Sequence, residues 1–294
     1  MIDRACISLS NSCNLKCKYC HFSDKQNSIT SFDFNDIVLI LDNIHHYCVK
    51  NNLNTFKLGI VGAGEPLIKK QLLFNAIKYV SDNNYTEIKM YTITNGTLIG
   101  KDDLEVFYQY RDIIRLCFSL DGYKELHNAG RAEFDKVMRA VRLYKEIFKE
   151  APHINATANL LSYNNKEKLV KFFKEEKLSN VTFSILVGYP YKDLYITSEQ
   201  FSELMEYIKM SGISSRQFEN KKAYDCTMYG NLCGVGRTNI FITPEGVYPC
   251  GRFYKNDKYI LGEYNASLFE IEKRVNSIVP VENGKCYYCE RVNK

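Results

Sequence analysis

The constraint that leaves the fewest folds open is an alternation. Apolar strand-like runs at Ala5–Leu9, Phe56–Val61, Glu87–Thr94, Ile113–Leu120, Ile154–Leu161 and Val181–Val187 are separated by stretches with apolar residues at i, i+3, i+4 spacing. In the first such stretch Ile37, Ile40, Leu41, Ile44, Tyr47 and Cys48 share one face; the others run near 70–83, 102–111, 133–150, 165–176 and 198–210. Strand and helix in turn predict a parallel sheet joined by right-handed crossovers. Six such units make an α/β fold of the partial (β/α)6 barrel type. Beyond about residue 211 Gly, Cys and Tyr become frequent, so a small second domain is expected over 212–294, after a barrel over 1–211.

With 294 residues the chain has enough length for a substantial core. Its 45% hydrophobic and 25% charged composition is that of a globular protein. The net charge of +5 is spread along the chain, and Lys69-Lys70 is too short for a nucleic-acid stripe, so no nucleic-acid partner is expected. No run of 18 apolar residues predicts a membrane span, and the N-terminus lacks the apolar core of a signal peptide. The expected compartment is the cytoplasm. There, 11 cysteines speak for metal or cluster ligation rather than disulfides.

The cysteines are grouped. Cys13, Cys17 and Cys20 have spacing C-x3-C-x2-C directly after the first strand. Three thiolates on one loop can hold three irons of a cubane cluster and leave the fourth open to a chelating small molecule. They can also be part of a zinc site, which needs a fourth ligand. Cys6, Cys48 and Cys117 read as small core residues, and His45 and His46 as packed or solvated rather than as ligands.

Further polar signals fall just past the ends of successive strands, the face on which barrel enzymes carry their chemistry. After the second strand comes Gly62-Ala63-Gly64-Glu65-Pro66, where glycine lets backbone approach a ligand closely. Thr94-Asn95-Gly96 follows the third, and Ser119-Leu120-Asp121-Gly122 the fourth, continuing as His127-Asn128-Ala129-Gly130-Arg131.

This ordered set, with the cysteine triad, resembles the radical S-adenosylmethionine (SAM) superfamily. The resemblance implies a [4Fe–4S] cluster on Cys13, Cys17 and Cys20 whose open iron binds SAM, and reductive cleavage of SAM to a 5′-deoxyadenosyl radical that abstracts hydrogen from substrate. It implies that Gly62, Gly64 and Glu65 lie in the motif that holds the SAM amino group, with Ala63 replacing a glycine. Thr94, Asn95, Ser119 and Asp121 fall where the family contacts the ribose and methionyl end. Arg131 is matched to an arginine that pairs with the SAM carboxylate, for which a planar fork is suited. Asn159 and Leu186 fall where the family completes the ribose and adenine pocket, and Tyr19 matches an aromatic residue near the adenine. Asn128 stands where aspartate is common.

In the C-terminal part, Ile240-Phe241-Ile242 and Val247-Tyr248-Pro249 read as the arms of a hairpin turning at Thr243–Gly246. Cys233, Cys250, Cys286 and Cys289 surround it, and four thiolates close either a zinc site or a complete [4Fe–4S] cluster. The segment resembles the SPASM/twitch extensions of radical SAM enzymes, which implies an auxiliary [4Fe–4S] cluster. As the sequence stops at Lys294, the shorter twitch form with one such cluster is expected. Cys226 is a spare thiol. Arg237, Arg252, Tyr254 and Cys226 are candidates for handling a substrate proton, and the sequence does not choose among them.

The resemblance implies oxidative modification of a ribosomally made peptide or protein by crosslink, thioether or side-chain oxidation. The alternatives are dehydrogenation of a small alcohol such as an aminocyclitol, and a metal-bearing scaffold that would bind no SAM. A low-potential electron donor of the flavodoxin or ferredoxin type is implied as partner. Only twelve residues precede Cys13, so a peptide maturase of this form is expected to use a separate peptide-recognition protein or to bind its substrate directly.

Overall fold

The computed structural model describes residues 1–23, 28–186, 192–219, 234–235, 237–277, 281–282 and 285–286. The strands are β1 (Arg4–Ile7), β2 (Phe56–Ile60), β3 (Ile88–Thr94), β4 (Ile114–Ser119), β5 (His153–Ala158), β6 (Val181–Ile185), β7 (Asn239–Thr243), β8 (Gly246–Tyr248), β9 (Val281–Glu282) and β10 (Lys285–Cys286). The helices are α1 (Phe34–Lys50), α2 (Lys70–Asp82), α3 (Lys101–Gln109), α4 (Lys124–Gly130), α5 (Phe134–Phe148), α6 (Leu160–Asn164), α7 (Lys166–Glu175), α8 (Ser198–Met210), α9 (Arg216–Glu219) and α10 (Leu268–Ser277).

Strands β1 to β6 form a parallel sheet in sequence order, each step crossing over through helix, as the alternation requires. This is the partial barrel expected from the sequence. Helix α1 shows why the pattern folds so. Asp33 and Asp36 form a reciprocal capping box at its start, and the stripe Ile37, Ile40, Leu41, Ile44, Tyr47 and Cys48 is buried on the sheet.

Beyond shifts of one or two residues at strand ends, two elements depart from the expected pattern. The fifth strand ends at Ala158 rather than running to Leu161, because the Asn159 side chain accepts from Leu161 N–H and Ser162 N–H and starts α6 there. The apolar pair Leu160-Leu161 belongs to that helix. The hairpin β7–β8 forms as expected, but it is not a separate sheet. β7 pairs in parallel with β1, Cys6 opposite Phe241, and the full order is β6-β5-β4-β3-β2-β1-β7-β8. One sheet therefore continues across residue 211.

Most of the buried apolar residues form one core between sheet and helices. A second cluster, Phe22, Ala63, Val235, Phe241, Tyr248, Phe253, Tyr254 and Tyr259, fills the space between the cysteine loop and the hairpin. Within it the rings of Phe22, Phe241 and Tyr254 lie pairwise 6.0 Å apart. Glu245 in the hairpin turn accepts from Thr30 Oγ1 at 2.8 Å and Tyr254 Oη at 2.6 Å, tying the same two segments at their rim. No helix among the described residues is long and apolar enough to cross a membrane.

Candidate active site

A cavity of about 400 Å3 opens at the C-terminal ends of the strands, within the range of small-molecule sites. Cys13, Cys17 and Cys20 line one side of it. Their loop is held at three points. Glu65 N–H donates to Ser12 O at 2.8 Å, Lys18 N–H to Gly130 O at 2.8 Å, and Asn14 bridges to Asn95 and Thr97 at 2.9 and 2.7 Å. Gly64 explains the first. A Cβ there would overlap the backbone carbonyl oxygens of Ser10 and Ser12, so only glycine lets the loop after β2 press against the segment entering the cysteines.

Glu65 is 5% exposed and accepts from Thr94 Oγ1 at 2.6 Å, Asn95 N–H at 2.8 Å and Leu67 N–H at 3.2 Å. Burial pushes its carboxyl up, and the donated hydrogen bonds oppose that. Its carboxylate thus braces the ends of β2 and β3 against each other. Thr94, fully buried, completes that brace and stands behind the cavity wall.

Just past the ends of β4 and α4, Asp121 accepts from Arg131 Nε, from Thr157 N–H at 2.9 Å and from the Tyr19 hydroxyl. Arg131 also donates to Thr157 Oγ1 at 3.2 Å, and its guanidinium lies 5.3 Å from the Tyr19 ring centre. Tyr19 in turn packs on Gly130, where no Cβ would fit. The Tyr19 hydroxyl is therefore committed to the arginine's support.

Gly62, Gly64, Glu65, Asn95, Ser119, Arg131, Leu186, Tyr19 and the three cysteines all line the one cavity, and so does Cys250, which packs with Cys20 against the apolar cluster of Phe22 and Phe241. Three of the expected contacts do not. Thr94 and Asp121 lie beneath the surface as positioning residues, and Asn159 is the cap of α6. Cys226, Cys233 and Cys289 fall outside the described residues, and Cys286 ends β10. Sequence reasoning missed Asn155 and Thr157 on β5, Ser184 on β6, Asn239 and Phe241 on β7, and Cys6, which lines the cavity instead of packing in the core. Strand alternation carried the signal: each is an inward position on its strand.

Burial pushes the Cys13 thiol up to about 11 and raises Cys17 as well, the latter opposed by the Arg131 charge. Metal binding at such thiols must release their protons. Among the described residues no three of His, Cys, Asp and Glu converge as ligands of a single ion would. A cubane asks for one thiolate on each of three irons, and three thiols spread along one cavity wall fit that demand.

Residues 7–175, more than half of the chain, match the radical SAM superfamily. The chain belongs to that superfamily. It is accordingly a radical SAM enzyme, of a superfamily whose cofactors are a [4Fe–4S] cluster and SAM. It is 28% identical to a cysteine-type anaerobic sulfatase-maturating enzyme of Clostridium perfringens, over 90% of this chain and 79% of that protein. Native anSMEcpe with bound AdoMet and Cp18Cys peptide has the same fold, with TM-score 0.74, 20% identity, and 99% and 87% of the two chains covered. So has Streptococcus suis SuiB bound to precursor peptide SuiA, with TM-score 0.66, 17% identity, and 92% and 64% of the two chains covered.

Proposed function

We propose that this radical SAM enzyme oxidatively modifies a side chain of a peptide or protein, by oxidation, thioether or crosslink formation. One observation carries the reading: Cys250, delivered by the β7–β8 hairpin, lines the same cavity as Cys13, Cys17 and Cys20. We read Cys250, with Cys233, Cys286 and Cys289, as ligands of an auxiliary [4Fe–4S] cluster in a domain spanning 212–294. A redox centre on that wall is suited to take up the electron left on an oxidised substrate. The sulfatase-maturating relative and the peptide complexes of the two structural neighbours favour a peptide over a small alcohol.

With an electron from a low-potential flavodoxin- or ferredoxin-type donor, the bound cluster and SAM supply the hydrogen-abstracting chemistry. The chain's own residues orient and shield. Arg131, held by Asp121 and Thr157, offers its outer guanidinium edge to the SAM carboxylate. Backbone at Gly62 and Gly64 faces the amino group, Asn95 and Ser119 the sugar and methionyl end, and Leu186 the adenine. Val61, Ile93, Phe22 and Phe241 give that chamber apolar walls, which exclude water from a reactive centre. We place the enzyme in the cytoplasm.

The test has two stages. Iron and sulfide are measured after anaerobic reconstitution, for wild type and for the Cys13/Cys17/Cys20→Ala variant; about eight irons falling to about four support two independent clusters. Reconstituted enzyme with SAM, reductant and peptides bearing cysteine or serine should then form 5′-deoxyadenosine together with a product two hydrogens lighter. A product of unchanged mass would overturn the oxidative reading.

A further inference from the structure

Most polar side chains lining the cavity are already engaged. Glu65 and Asn95 brace loops, and Arg131 and Thr157 bond each other. Among the described lining residues, two polar side-chain atoms are both buried and without a partner. Asn239 on β7 is 7% exposed, and its Oδ1 is buried without any hydrogen-bond partner. Asn155 on β5 has a buried Nδ2 in the same condition; the Cys117 thiol beside it is a weak acceptor at best. Both residues line the cavity, from strands near opposite ends of the curved sheet. A buried polar atom with no partner costs free energy unless a ligand or water satisfies it.

The pair is one acceptor and one donor set across a chamber whose neighbouring wall, Phe241 and Val235, is apolar. A trans peptide unit presents the matching pair: an N–H and a C=O pointing to opposite sides of the chain. We propose that Asn239 and Asn155 form a subsite that grips one backbone amide of a peptide substrate, Asn239 Oδ1 accepting from its N–H and Asn155 Nδ2 donating to its C=O. This rests on the peptide reading above and deepens it: recognition at this point is of the main chain and tolerates varied side chains. Neither side chain is hydrogen-bonded to the cysteine loop, to Arg131 or to Asp121, so substrate and SAM affinity are separable here.

The experiment measures binding rather than turnover. Reconstituted enzyme with SAM is titrated into fluorescently labelled, capped pentapeptides with a central cysteine or serine, and affinity is read by anisotropy. Each peptide is also made with one backbone nitrogen at a time methylated, which removes a single N–H. In wild type, methylation at one position should weaken binding about tenfold. Asn239→Leu should bind the parent peptide about tenfold more weakly and be indifferent to methylation at that position, while Asn155→Leu weakens the parent peptide and stays sensitive to it. SAM affinity should be unchanged in both variants.

If methylation weakens Asn239→Leu as much as wild type, the N–H does not reach Asn239 and the subsite is overturned. Wild-type peptide affinity in both variants would show that water alone satisfies the two atoms, and a loss of SAM affinity would assign them to SAM; either overturns the subsite and leaves the peptide reading standing. If wild type binds none of the peptides, the peptide reading and the subsite fall together.

Discussion

Asp121 and Arg131 meet side-on, with Arg131 Nε 3.1 and 3.2 Å from the two carboxylate oxygens and Asp121 shut off from solvent. Removing the charge from one partner of such a pair is strongly destabilising, by about 3–5 kcal/mol when it is fully buried. Arg131 is partly open to the cavity, so Asp121→Asn should cost less than that in stability and show mainly in ligand affinity. We expect SAM binding to weaken at least about tenfold, and Tyr19→Phe, which removes one hydroxyl, to weaken it less. Equilibrium binding of SAM to the reconstituted variants checks this; an Asp121→Asn protein with wild-type affinity would refute the brace.

Gly64→Ala should be among the most damaging single methyl additions in the chain. The added Cβ meets two backbone carbonyl oxygens that no side-chain rotation can move. The cysteine loop must shift, and iron uptake on reconstitution should fall by half or more. Gly212→Ala is the control, since nothing lies within 4 Å of that Cβ and only its left-handed backbone, φ +83°, is strained. It should lower stability by about 1 kcal/mol and leave iron content alone.

His153 gives a dependence on pH. Burial, with the Arg115 charge beside it, lowers its pKa from 6.5 to about 4, and its Nε2 lies 2.8 Å from Thr182 Oγ1. The unfolded chain therefore takes up a proton between those values that the folded chain refuses. Stability is complete above about pH 6.5 and falls as pH drops toward 4, by about 3 kcal/mol at most. Denaturant titrations at pH 7 and pH 4.5 should show a smaller loss in His153→Gln than in wild type; equal losses would refute the assignment.

Asn159 separates capping from ligand binding. Both oxygen contacts of its side chain go to the first turn of α6. Asn159→Ala should cost about 1 kcal/mol in denaturant unfolding with SAM affinity unaltered. A tenfold loss of SAM affinity at unchanged stability would restore it to the cofactor pocket.

That residue also marks where the sequence stops being legible. The six strands of the barrel could be read because a parallel strand is a local apolar run, and the motifs because each follows its strand within a few residues. An asparagine after a strand looks the same whether it caps a helix or faces a ligand, and the apolar Leu160-Leu161 hid the helix start. Asp121 and Thr94 were found for their positions, but only the fold shows that their oxygens support Arg131 and Glu65. The wall carrying Asn239 and Phe241 was out of reach for another reason: its place depends on β7 pairing with β1, a contact between segments more than 230 residues apart.

That pairing has a consequence for how such a chain can vary. Cys20 follows β1 and Cys250 follows β8, with β7 between those strands and hydrogen-bonded to both, and each step across a sheet keeps about 4.8 Å whatever joins the strands. The spacing between the two cysteine-bearing walls is thus a property of the sheet's ladder and independent of the connecting chain. Insertions or deletions between β6 and β7 can accumulate without changing the distance from one wall to the other.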